Sequence, residues 1–234
     1  MYRRNVMPLT VFVIASLLAA CSGSRSPATS TPASTADTSG GAATPHASIT
    51  AAPDALHLNL VADGTQARYR VREQLAELSF PSDAIGSTSA VTGSLVINSD
   101  GAVVHDQSKF VVDVTGLQSD KGQRDGFVQR RLLETNQYPN VEFDPKSVTG
   151  LASPLPASGP VAFQITGDLT VHGTTKPATW TVTGQILNSK EMTGTASTSF
   201  TFEDFNIQQP RVQVVLSVVD KITLELDFHF MKAN

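Results

Sequence analysis

The chain has 234 residues, with 17 Lys and Arg against 21 Asp and Glu, a formal net charge of −4 at pH 7, and one cysteine. A mildly acidic balance with scattered lysines suits a phosphate backbone poorly, so no nucleic-acid partner is expected. A lone cysteine closes no internal disulfide, so an exported domain must rest on its own core, which a chain of this length can supply.

Arg3 and Arg4 give a positive start, and Val11 to Leu18 is apolar but too short to span a bilayer as a free helix. The run ends in LLAAC, with Ala19 and Ala20 before Cys21. This resembles the lipobox of bacterial lipoproteins, in which the cysteine is lipidated and becomes the new N-terminus. An ordinary secretory signal with a spare cysteine, or a cysteine in the core, is the alternative. Residues 1–20 are thus read as a signal peptide; without Arg3 and Arg4, 15 basic against 21 acidic residues leave −6. Ser22 is compatible with passage to the outer membrane of a two-membrane bacterium, or with the outer cell face in a one-membrane organism. The protein is therefore expected to be exported and membrane-anchored through its lipid, facing the periplasm or the cell surface.

From Ser22 to Pro53 the composition is Ser, Thr, Ala, Pro and Gly, with Arg25 and Asp37 the only charges and no aromatic residue. Such a stretch cannot bury enough apolar surface to offset its ordering entropy. Residues 21–54 are read as the lipidated cysteine and a disordered tether, its ends roughly 30 Å apart as a flexible coil.

Residues 55–234 have ordinary single-domain size and a period-two pattern. In chain order, YRVREQ near Tyr69, SLVI near Leu95, FVVDV from Phe110, VEF from Val141, VAFQITGDLTV, STSFTF up to Phe202 and the final segment read as strands. Val161, Phe163, Ile165, Leu169 and Val171 share one face; in the last segment Ile222, Leu224, Leu226, Phe228 and Phe230 alternate with Thr223, Glu225, Asp227 and His229. NSDG at 98–101 is a hairpin turn, since Asp-Gly tolerates positive φ.

One stretch, GQRDGFVQRRLLETNQYPN, breaks the pattern. Phe127, Arg131 and Glu134 follow helical spacing with Val128, Leu132 and Leu133 alongside, which predicts one short helix from about Asp125 to Glu134. Asp125 would cap its start, and Pro139 forbids continuation. About eight antiparallel strands with one polar face each bury the other face most economically by closing, giving an all-β, up-and-down barrel able to hold one ligand. A two-sheet sandwich satisfies the periodicity equally.

Three segments, SDKGQRDGFVQRRLLETNQYPNVEF, GDLTVHGTTKPATWTV and DKITLELDFHF, together resemble the YceI-like family of bacterial lipocalin-like proteins. The resemblance runs from about Tyr69 to Phe230, and Arg124 with Asp125, YPNVEF at 138–143 and GDLTVHGTTKP at 167–177 carry it. It implies an extended, lipocalin-like antiparallel β-barrel whose apolar cavity binds a polyisoprenoid or similar amphipathic chain, in a protein exported to the periplasm. The chain departs from the family at the plain LSFPSDAIGSTSAVTG from Leu78 and at FNIQQPRVQVVLSVVDKITL, which bears on the head group more than on the fold.

A hydrocarbon ligand needs an inward apolar row, each buried methylene contributing about 0.8 kcal/mol, and a few polar groups to fix its head. Phe163, Ile165 and Leu169 supply the row, Phe143 lies inward between Glu142 and Asp144, and the parity of Trp180 with Val182 puts it in the interior. Arg124, Arg130 or Arg131, His172 and Lys176 are the head-group candidates, since cationic donors suit a phosphate or a polarised quinone carbonyl. Each has a plain structural alternative: Arg124 as an ion pair or cap with Asp125, His172 as a turn residue bonding backbone, Lys176 as a solvated loop residue. Phe127 and Tyr138 are either cavity gates or helix-docking residues. No nucleophile motif or metal-ligand spacing is present in the sequence, and the carboxylate pair Glu142 and Asp144 has the parity of a solvent face, so no catalytic residues, metal or cofactor are expected beyond a bound isoprenoid lipid or quinone. The function expected is a membrane-tethered binding protein that transports, stores or sequesters such a lipid. A surface interaction module with a filled barrel, or an enzyme acting on a bound lipid, is the alternative, and a homodimer is compatible with either.

Overall fold

The computed structural model of the chain describes residues 49–233; Cys21, the signal segment and most of the tether lie outside the described residues. The strand segments are β1 (Leu56–Leu60), β2 (Gln66–Leu75), β3 (Ser82–Thr88), β4 (Val91–Ile97), β5 (Lys109–Asp113), β6 (Gln118–Ser119), β7 (Asn140–Thr149), β8 (Gly159–Val171), β9 (Thr174–Asn188), β10 (Glu191–Phe200) and β11 (Val215–Lys232). Among the described residues the one α-helix is α1 (Gly122–Phe127). All pairings are antiparallel, and the order β1-β4-β5-β7-β8-β9-β10-β11 closes because β11 pairs again with β1. A closed ring of eight strands is a barrel, which rules out the sandwich.

The other three segments extend these staves. β1 and β2 both lie along β11, with Leu60 opposite Phe230 and Gln66 opposite Asp227, so together they form one bent stave. β3 and β4, then β5 and β6, continue one another in the same way. β1, β3 and the two-residue β6 escaped the sequence reading, and the β10 strand ends at Phe200, two residues before the expected limit at Phe202. The 98–101 turn is present, with Gly101 at φ +85° and its N–H donating to the Asn98 carbonyl at 2.9 Å. Upstream of residue 55, Ala52 N–H donates to Asn98 Oδ1 at 2.9 Å, which ties residues before β1 to the barrel.

The helical stretch differs from expectation at its start. The helix begins at Gly122 with Lys121 as its cap, and Val128–Leu132 continues it as a wider π-type turn, closed by Leu133 N–H donating to the Val128 carbonyl at 2.9 Å. Asp125 is not the cap. From inside the first turn its carboxylate reaches back to accept from Ser119 N–H at 2.8 Å and Ser119 Oγ at 2.6 Å, which pins the chain entering the helix. Glu134, at φ +47°, ends the stretch.

Side-chain parity sorts the wall into two faces. Outward, Arg68, Arg70 and Arg72 on β2 meet Glu225 and Asp227 on β11 and Asp83 on β3 in a charged ladder. Inward, the rows of β8 and β11 read from the sequence are buried or half-buried as expected. At the end formed by β1, β4 and the β9–β10 turn, Leu58, Leu95, Ile97, Val103, Ile186 and Met192 fill the lumen. Large inward rings are accommodated by glycines on the neighbouring strand: a Cβ on Gly194, directly opposite Phe228, would lie 2.7 Å from its ring. Such rings sit over the wall and leave the lumen beyond them open.

Candidate functional site: the cavity and its polar corner

Over the rest of its length the barrel is hollow, with a cavity of about 590 Å³. This falls within the usual range for ligand sites, roughly 300–1,000 Å³. Phe228 and Phe230 of β11 lie toward the filled end. The walls carry Phe143 of β7, Phe163, Ile165 and Leu169 of β8, Trp180 of β9 and Leu224 of β11. Phe127, Val128 and Leu132 bring the helical stretch onto the cavity as part of its covering.

One corner of this apolar chamber is polar. β2 alternates so that Tyr69, Val71 and Glu73 face inward, and Arg124 of α1 comes down on the same corner. Arg124 Nη2 donates to Glu73 Oε1 at 2.6 Å, with only 14% and 9% of the two side chains exposed. Arg124 also pairs with Asp120 and donates to Ser119 Oγ at 3.3 Å. Burial opposes the guanidinium charge, yet the hydrogen bonds to Glu73 and Asp120 hold its pKa above the usual value. The Arg124 alternative read from sequence is corrected in its partner: it pairs with Glu73 and Asp120, while Asp125 is engaged with Ser119.

Tyr69 stands beside this pair. Burial pushes its phenol up to about 12, with Arg124 pulling the other way. Its hydroxyl oxygen is buried and has no hydrogen-bond partner among the described residues; the same holds for Trp180 Nε1. A Cβ on Gly86, directly opposite Tyr69, would lie 2.3 Å from the phenol ring, so glycine there is what lets the ring seat itself.

Of the candidates from sequence, Arg124, Phe127, Phe143, Phe163, Ile165, Leu169 and Trp180 line the cavity. Arg131, Tyr138, His172 and Lys176 do not. His172 is drawn outward by Glu134, its Nε2 lying 3.0 Å from Glu134 Oε2, and Tyr138 packs edge-on against it with ring centroids 4.9 Å apart. Arg131 is exposed on the far side of the helical stretch, where Leu132 and Phe127 take the inward positions. Lys176 shares the parity of Trp180 but sits at the exposed start of β9, where its charge acts on Asp204. Sequence reasoning missed Tyr69 and Glu73. The signal was available: in YRVREQ the charge at Glu73 falls in the inward register of Tyr69 and Val71, and a buried charge requires a partner.

The profile of the YceI-like domain family matches residues 59–230. No curated protein matches the chain. Among solved structures, the chain is similar to a polyisoprenoid binding domain from Saccharophagus degradans implicated in plant cell wall breakdown, with a TM-score of 0.60 and 11% identity over 76% of this chain and 99% of that one. It is also similar to BcnA of Burkholderia cenocepacia, with a TM-score of 0.53 and 15% identity over 74% of this chain and 99% of that one. At such identities the likeness is one of fold.

Proposed function

The chain belongs to the YceI-like family, and from that membership and the cavity we infer that it is an exported, membrane-tethered binding protein that holds an isoprenoid-type lipid or quinone for transport, storage or sequestration. The observation that carries this reading is the hollow half of the closed barrel, about 590 Å³ with inward apolar side chains from β2 round to β11. A chain of methylenes and methyls gains about 0.8 kcal/mol per carbon moved into such a space. The polyisoprenoid-binding description of the Saccharophagus degradans domain supports the same ligand class. The N-terminal run ending at Cys21 supports the tether and the exported location. A binding role needs no acid, base or nucleophile. The lining is mostly apolar, and its most buried polar groups among the described residues are the Glu73–Arg124 pair and the donors Tyr69 Oη and Trp180 Nε1.

Filling the lumen tests this reading. Ala196 is buried, lines the cavity and points inward from β10. In an Ala196→Phe variant the added ring occupies ligand space, so a labelled polyprenol carried through gel filtration by the wild-type protein is expected to be lost, with the circular dichroism spectrum retained. Full retention of the polyprenol by a folded Ala196→Phe variant contradicts a lumenal site.

A further inference from the structure

The cavity holds two buried polar atoms without partners among the described residues, Tyr69 Oη and Trp180 Nε1. Buried donors are nearly always satisfied, so an orphan facing a cavity marks where a ligand's polar atom docks. The Tyr69 hydroxyl is the better placed for a head group because it adjoins the most buried ion pair among the described residues that line the cavity, Glu73 with Arg124. Its proton is retained at any physiological pH, since burial pushes the phenol up to about 12. It is a neutral donor.

The charge around it decides what it can receive. Arg124 is the cation that acts most strongly on Tyr69, and it is already engaged by Glu73 at 2.6 Å and by Asp120. Counting Lys121, which pairs with Glu77, and Asp125 as well, two cations face four carboxylates, Glu73, Glu77, Asp120 and Asp125, and leave the corner at −2. Glu73 projects from the same strand face as Tyr69, two inward positions along, so an anion bound at the hydroxyl would lie against a buried carboxylate. Like charges in a low-dielectric chamber repel strongly, and displacing Glu73 from Arg124 would leave a buried charge unpaired. An uncharged oxygen meets neither cost.

Resting on the lipid-binding reading above, we propose that Tyr69 anchors the ligand's head group inside the cavity and that this head is an uncharged hydrogen-bond acceptor, such as a hydroxyl, carbonyl or ether oxygen, selected over a phosphate. The corner is built for that purpose: Gly86 clears the space for the ring, the helix brings Arg124 to neutralise Glu73, and the hydroxyl alone remains open. Trp180, reached from β2 by way of β11 and β10, offers a second donor elsewhere on the wall.

Trp180 is the one tryptophan of the chain and lines the cavity, so its emission reports occupancy directly. The fragment 46–234 contains every strand of the closed barrel. Delipidated, it is titrated with geranylgeraniol, with geranylgeranyl monophosphate and with a hydrocarbon of the same chain. The expected result is that the alcohol binds at least tenfold more tightly than the phosphate, and that Tyr69→Phe weakens the alcohol about tenfold without weakening the hydrocarbon. Retained hydrocarbon binding shows that the variant is folded, and the alcohol-to-phosphate ratio of the wild-type protein stands without any variant. Phosphate binding equal to or tighter than the alcohol overturns the proposal, as does an unchanged alcohol affinity in a folded Tyr69→Phe; in both cases chain binding survives. If none of the three ligands binds, the lipid-binding reading itself fails and the head-group assignment with it.

Discussion

Two places in the molecule use almost the same parts. In the corner of the cavity a cation, a carboxylate and a tyrosine meet over a glycine: Arg124, Glu73, Tyr69 and Gly86. At the β8–β9 turn a histidine, a carboxylate and a tyrosine meet over another: His172, Glu134, Tyr138 and Gly173, where a Cβ would lie 2.5 Å from the Tyr138 ring. Each set also leaves one buried atom unpartnered, Tyr69 Oη in the first and His172 Nδ1 in the second. The difference is parity. In the first set Tyr69 and Glu73 hang from inward positions of β2 and face the lumen, whereas the second straddles two chain reversals, His172 at φ +50° and Glu134 at φ +47°, and faces away from it. Left-handed backbone at two non-glycine residues is sustained only where surroundings fix it. The second set is thus a latch that holds the helical stretch to the barrel, and its resemblance to a binding site is chemical only.

Removing the carboxylate separates the two sets most sharply. Glu73→Ala strands a buried guanidinium and is expected to lower the unfolding free energy by about 3 kcal/mol in urea denaturation, softened by the remaining contact to Asp120. Glu134→Ala, whose side chain is 51% exposed, is expected to cost less than about 1 kcal/mol. Equal losses would mean that the corner is no more buried than the latch.

Alkaline pH acts on the corner through Tyr69. A phenol with a folded pKa of about 12, against about 10 unfolded, contributes stability that is fully present below pH 10 and is lost as pH rises toward 12. The full loss is about 2–3 kcal/mol by linkage, and Tyr69→Phe should remove that part of the pH dependence in denaturant titrations between pH 9 and 12. A variant with an unchanged alkaline slope would place the ring in water.

Glycine to alanine at position 86 tests the seating of the ring. The new methyl overlaps the phenol and is expected to cost about 2 kcal/mol, while pushing the ring into the lumen and weakening ligand binding seen by Trp180 emission. The smallest effect belongs to the latch. His172→Ala should cost about 1 kcal/mol or less, speed amide exchange in residues 120–139, and leave ligand binding unchanged. A loss of binding there would return His172 to the site.

The sequence made β8 and β11 legible because one of their faces meets the lumen and the other meets water, so apolar and polar residues alternate. It concealed β3 for the complementary reason. Its inward positions are Ala84, Gly86 and Thr88, small because Tyr69 of the neighbouring strand fills the space above Gly86. A strand whose partner supplies the bulk shows no period. The helix was legible from Phe127, Val128 and Leu132, but its start was not, because Asp125 acts backward onto Ser119 from within the first turn and so imitates a cap four positions late. The apolar half of the site followed from periodicity. Of the polar half only Arg124 was named, since His172 and Lys176 draw the eye as cations in a recognisable turn while Tyr69 and Glu73 sit inside an ordinary strand.

The central claim is that the hollow half of the barrel is a lipid site. Its most direct test is to express the fragment 46–234, purify it without detergent, extract it with organic solvent and identify the extract by mass spectrometry. The structure leads us to predict an isoprenoid-type chain in near one-to-one ratio with protein, bearing an uncharged head. An extract free of prenyl or acyl chains, from a folded fragment that also fails to take up added polyprenol, would contradict it.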